Sequence, residues 1–279
     1  MPQARDETDT MNENELSDLR MAVELLENPS FGAKLGHFVG SPIEKAIALL
    51  PDQATRAIVA ATQKAIQGAL KLSLKTLGRH DPSSGAQTPA ASNWWHLAAT
   101  ATSGAVGGAF GWLALTIELP ISTTIIMRSI ADVARSEGAD LHDVQIQLEC
   151  VQVLALGGDS SRDDGTDIGY FVAREAMSKA VSEAATHIAQ NGLKKGSAPA
   201  IVRLITLIAQ RYSINVTEKA ATQLVPVIGA IGGAVINTVF IDHFQNMARG
   251  HFVVRRLESK YGPGIVREKY LKIKLARGN

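Results

Sequence analysis

The stretch at residues 104–120 reads GAVGGAFGWLALTIELP, and it carries no charge before Glu118. Nearly the same phrase returns at residues 229–242 as GAIGGAVINTVFID. The copies align as G-A-x-G-G-A, from Gly104 to Ala109 and from Gly229 to Ala234. On a helix, residues four apart lie one above the other. Gly104 then stacks on Gly108, Gly107 on Gly111, and Gly229 on Gly233, with Gly232 beside them. A stripe without Cβ atoms lets another backbone come close. Each glycine inside a helix costs roughly 0.5–1 kcal/mol against alanine, so several together require compensation by close packing. The two phrases are expected to form a central pair of closely packed helices.

A second reading stays open. Residues 97–117 and 220–241 hold no charged side chain, and either run covers the roughly 20 residues that a bilayer core requires. Against it, Ala, Gly, Ser and Thr fill much of both runs, and Gln223 and Asn237 interrupt the second. Shielding inside a soluble bundle is the expectation, and entry into a bilayer in some state is the alternative.

Outward from these phrases, the chain keeps helical period. Leu16, Leu19, Val23 and Leu26 fall three and four apart, after an acidic leader at 1–12. The stretch SPIE at 41–44 starts a helix, Pro51 stops it, and Asp52 opens another that runs to Gly78. Residues 79–93, rich in Pro, Ser, Gly and Ala, read as a flexible linker. A helix then ends at Pro120, and the next ends at Gly138. Asp140 is placed as the cap of LHDVQIQLECVQVLAL, and a helix at about 168–190 follows a polar turn at 157–167. A short helix, PAIVRLITLIAQRY, precedes the second glycine phrase, and Gly262-Pro263-Gly264 separates a basic last helix. The pattern predicts an all-α, multi-helix bundle around the two glycine-rich helices, with residues 13–279 as a single domain.

Composition narrows the function classes. The 279 residues are 46% hydrophobic and carry a formal net charge of +1, which gives no global drive toward nucleic acid. The ends differ in sign: an acidic start faces a C-terminal region holding Arg249, Arg255, Arg256, Lys260 and Lys274. Such a tail is either a solvated helix face or a surface for anionic lipid or an acidic partner. Cys150 is the single cysteine, read as a small buried apolar residue in a reducing compartment. The N-terminus lacks the basic start and apolar run of a signal peptide, so a cytoplasmic location is expected.

Motifs that carry chemistry are scarce. There is no P-loop, G-x-G-x-x-G, H-E-x-x-H, C-x-x-C or G-x-S-x-G. Scattered polar residues remain as candidates. Glu118, Asp132, His142 and Glu149 are the candidate catalytic set for a helical hydrolase, with His142 and His243 as metal ligands. His142 and Glu149 lie about 10.5 Å apart along one helix, too far to chelate one ion without ligands from other helices. His96, His142, Asp143 and Asp242 would be the parts of an HD-type phosphohydrolase. Arg128 reads as an ion-pair partner of Asp132 or as an anion site; Asn237, Asp242, Arg255 and Arg256 complete the ligand-binding or anion-binding candidates.

The segments LTIELPISTTIIMRSIADVARSEGADL, QLECVQVLALGG and LVPVIGAIGGAVINTVFIDHFQNMARGHFVVRRLESKYGP resemble the EcsC family of bacterial proteins. The resemblance spans roughly residues 40–275. It implies a cytoplasmic setting linked to transport or secretion, at the inner face of the membrane. It brings no agreed activity, no cofactor and no catalytic residues to carry over. The resulting expectation is a non-enzymatic accessory or interaction protein, with an anionic membrane surface or a membrane transporter as partner and no nucleic acid. A metal-dependent hydrolase and a lipid-binding pouch lined by the glycine helices are the alternatives.

Overall fold

The computed structural model describes residues 11–27, 31–34, 43–76, 111–157, 169–192, 198–222 and 233–277, and holds no strand among them. The helices are α1 (Glu13–Leu26), α2 (Ile43–Ile47), α3 (Asp52–Thr76), α4 (Gly111–Ser136), α5 (Val144–Gln152), α6 (Gly169–Asn191), α7 (Pro199–Thr222), α8 (Gly233–Tyr261) and α9 (Pro263–Arg277). A short 3₁₀ turn, Val153–Ala155, extends α5. The all-α expectation holds.

Local chemistry sets the ends. Asn12 caps α1 by accepting from the Glu15 N–H at 2.9 Å, while the Glu15 carboxylate accepts from the Asn12 N–H at 3.1 Å. Gly138, at φ +81, ends α4 in a left-handed turn. There its N–H bonds Arg135 O, and the Ala139 N–H bonds Ala134 O. Gly262, at φ +84, breaks the chain between α8 and α9 in the same way.

Nearly all the buried apolar residues form one cluster, from Leu19 in α1 to Tyr270 in α9, with Ala46 and Ala221 apart from it. α3 lies along α4 and also touches α7 and α5; α8 packs on α4, α1 and α9; α6 sits against α5 and α7. Alanines 61, 65 and 69 give α3 a small-residue inner face, and Ser73 ties it to α5 through Gln147 O at 3.1 Å. At Gly250 α1 lies close against α8: a Cβ there would stand 2.6 Å from Leu26 Cγ and 3.2 Å from Ala22 O.

Three expectations are corrected. α4 does not end at Pro120 but runs through it to Ser136. Proline's fixed φ is helical; it forfeits one backbone bond, and the hydroxyls of Ser122 and Thr124 bond Leu119 O and Pro120 O nearby. α7 is not a short helix but continues to Thr222, because Asn215, Glu218, Lys219 and Thr222 are all buried and extend its inward face. The cap of α5 is Asp143, whose side chain accepts from the Gln145 N–H at 2.8 Å; Asp140 instead accepts from the His142 N–H. Gly111 and Gly233 open α4 and α8, but Gly104, Gly107, Gly108, Gly229 and Gly232 lie outside the described residues, as do the linker at 79–93, His96 and leader residues 1–10.

Candidate functional site

Two groups of buried polar side chains stand out. The first joins α5, α6 and α8. Glu149 comes from α5, Tyr170 and Arg174 from successive turns of α6, and His251, Arg255 and Glu258 from successive turns of α8. Arg255 grips Glu149 with two bonds, Nε to Oε2 at 2.8 Å and a terminal nitrogen to Oε1 at 2.9 Å. It also stands 3.6 Å from Glu258. Arg174 grips Glu258 the same way, at 2.9 and 2.6 Å, and donates to the Tyr170 hydroxyl at 3.4 Å. The Tyr170 hydroxyl lies 3.0 Å from His251 Nδ1, and His251 Nε2 lies 3.9 Å from Glu149. The ring of contacts closes.

The proton assignment follows from these donors. Arg174 can only donate, so the Tyr170 hydroxyl accepts from it and gives its own proton to Nδ1. In that tautomer the imidazole proton is on Nε2, which faces Glu149 at 3.9 Å without a hydrogen bond. Burial works against the Glu149 carboxylate, but His251 and Arg255 outweigh it and bring it down to about 2. Burial holds His251 below its ordinary range, and the charges of Arg174 and Arg255 add to this against the pull of Glu149. At neutral pH His251 is thus a neutral imidazole beside the Glu149 carboxylate. Paired charges of this kind fix the relative position of three helices.

The second group lies where α7 crosses α4 and α8. Lys219, 1% exposed, donates to Glu118 at 2.8 Å and stands 4.9 Å from the Phe240 ring centroid. Burial pulls the Lys219 ammonium down from its ordinary value, while Glu118 supports its charge. Two turns earlier, Tyr212 shares a 3.0 Å hydrogen bond with Thr123 and packs on Phe240 and Phe244. Asn215 and His243 are buried beside this cluster, and among the described residues neither the Asn215 amide nor the His243 ring nitrogens have a hydrogen-bond partner.

The EcsC protein family matches residues 24–257, which takes in the second group and all of the ring but Glu258. The chain belongs to the EcsC family. No curated protein and no solved structure matches it.

In this EcsC protein the sequence candidates scatter. Glu149 and Arg255 meet in the ring, and Glu118 meets Lys219, a residue that the sequence reading passed over. Asp132 pairs with Arg135 at 3.0 Å on the surface, and Arg128, also exposed, is not part of that pair. His142 is exposed near Asp140, and Asp242 accepts from Asn246 at 3.0 Å. Asn237 is half-buried. Arg256 bridges Asp18 and Glu137. Among the described residues, no three of His, Cys, Asp and Glu stand close enough to hold a metal ion. Cys150 is buried, and burial pushes its thiol well above the usual range.

The charged ends of the chain meet each other. Glu15 accepts from Lys260 and from Tyr261, and these bonds bring its carboxyl down to about 2. Glu27 accepts from Tyr270 at 2.8 Å and pairs with Lys274 at 2.9 Å. Most of the basic tail therefore already has an acidic partner: Arg256, Lys260 and Lys274 on or beside α1, Arg267 on Glu175 and Lys272 on Glu268. A different basic surface is left open on α3. Arg56, Lys64, Lys71 and Lys75 are all exposed. They fall within about 100° of arc and span about 28 Å of helix. No carboxylate lies between Gln53 and Thr76, and none of the four forms an ion pair with a described residue.

Proposed function

We propose that this EcsC protein is a non-enzymatic accessory protein that works at the cytoplasmic face of a membrane, holding anionic lipid while it serves a transporter or secretion system. The observation that carries the reading is the cationic face of α3, which carries no carboxylate from Gln53 to Thr76. A basic side chain beside an anionic leaflet contributes about 1 kcal/mol, so four on one straight face act together. The opposite face of α3 is anchored by Ala54, Ile58, Ala65 and Ile66 in the core, which holds the four charges in register. No described helix is long and apolar enough to cross a membrane. Attachment through α3 needs no crossing helix.

Flotation with phosphatidylcholine vesicles, with and without phosphatidylglycerol, tests the reading. The protein should float with the anionic vesicles at low salt and be released as salt shortens the screening length to about 8 Å near 0.15 M. Failure to float with anionic vesicles at low salt ends the membrane half of the proposal.

A further inference from the structure

His243 and Met247 lie one turn apart on α8, both about 1% exposed, and both side chains end at Gly157. A Cβ built on Gly157 would stand 2.7 Å from Met247 Sδ and 2.8 Å from His243 Nε2. The sulfur and the nitrogen are therefore no farther apart than the sum of those two distances. Gly157 has φ +71, so its backbone reaches this spot in a conformation that other residues rarely adopt. Phe31 and Phe244 wall the imidazole, with ring centroids at 5.7 and 5.1 Å.

The histidine is the anomaly. A buried polar atom without a partner costs about 1–3 kcal/mol, and native interiors tolerate few. Both His243 ring nitrogens are in that position. A neutral imidazole keeps a lone pair on one ring nitrogen. The Gly157 backbone favours the charged ring but is not placed to make a hydrogen bond. A neutral imidazole beside a thioether, in aromatic walls, is a donor pair for a soft metal ion. Zinc in a structural site takes four ligands, whereas monovalent copper or silver is content with two. Lys34 also opposes a divalent ion more than a monovalent one.

We propose that His243 Nε2 and Met247 Sδ form a two-ligand site for a soft monovalent metal ion, Cu(I) or its surrogate Ag(I). The proposal is independent of the membrane reading. The test uses the full chain, reduced and free of oxygen, competing for Cu(I) against a coloured Cu(I) chelator, with the shift in melting temperature on adding Ag(I) as a second readout. One equivalent of Cu(I) should leave the chelator, and Ag(I) should raise the melting temperature. Met247→Leu preserves size and apolarity, so it should fold, confirmed by its circular dichroism melt, and should lose both effects. Cys150→Ser removes the competing thiol and should keep both. No withdrawal of copper by the native chain overturns the site. So does a folded Met247→Leu chain that binds as before, or binding that disappears with Cys150→Ser.

Discussion

His243 and His251 share α8, and burial keeps both neutral against different surroundings. His251 is held in a ring of charges that balance; His243 sits among aromatic rings with no hydrogen bond. The difference has a consequence for acid stability. The His243 imidazole lies at about 3 when folded against an ordinary value of 6.5. Between these values the unfolded chain holds a proton that the folded chain refuses, so stability falls as pH drops. Glu149 acts in the same direction, but only between 4.5 and about 2, where its folded carboxylate stays ionised and the unfolded one is protonated. The window from pH 6.5 to 4.5 therefore belongs to the histidines. His243→Leu should flatten the loss of unfolding free energy across that window by about 2 kcal/mol, since each unit of pKa is 1.36 kcal/mol. Urea unfolding at a series of pH values measures it; an unchanged slope would mean that His243 is protonated in the fold.

At the scale of helices, glycine works where two surfaces touch. Gly250→Ala should drive a methyl group into Leu26 and the Ala22 carbonyl, displacing α1 at a cost of about 1–3 kcal/mol. Gly68 lies on the exposed face of α3 with nothing within 4 Å of a built Cβ. Gly68→Ala should stabilise by about 0.5–1 kcal/mol through helix propensity alone. Chemical-denaturation midpoints of the two variants should move in opposite directions; a shared direction would sink this account of the α1–α8 contact. Sequence alone revealed the helices and several of their ends, because Gly138 and Gly262 mark turns by a local backbone requirement. It missed the passage of α4 through Pro120, since proline's φ suits a helix and tertiary packing decides the rest. It also could not assemble the ring. Glu149 and Arg255 are 106 positions apart, and each alone reads as an ordinary polar residue on an amphipathic helix. Gly250 gave no repeat to notice, and its meaning depends on Leu26 from another helix.

Across the whole molecule, the distribution of charge changes meaning once the chain is folded. In sequence the basic C-terminal region was the obvious surface for anionic lipid. In the fold, α1 and its C-terminal cap supply Glu15, Asp18 and Glu27 to Lys260, Arg256 and Lys274. These basic residues spend their charge inside the chain, while α3 presents Arg56, Lys64, Lys71 and Lys75 to solvent. Two sets of substitutions separate the surfaces. Lys64→Gln, Lys71→Gln and Lys75→Gln together remove three of the four exposed charges and should weaken binding to anionic vesicles by roughly a hundredfold, at about 1 kcal/mol each. All three side chains point away from the core, so the melting temperature should hardly change. Lys260→Gln with Lys274→Gln should do the reverse, lowering the melting temperature while leaving vesicle binding near native. Vesicle titrations and thermal melts on the same preparations distinguish the outcomes. If the C-terminal pair abolishes binding and the α3 triple leaves it intact, the lipid surface is the tail, and α1 must be displaced from it when the protein meets a membrane.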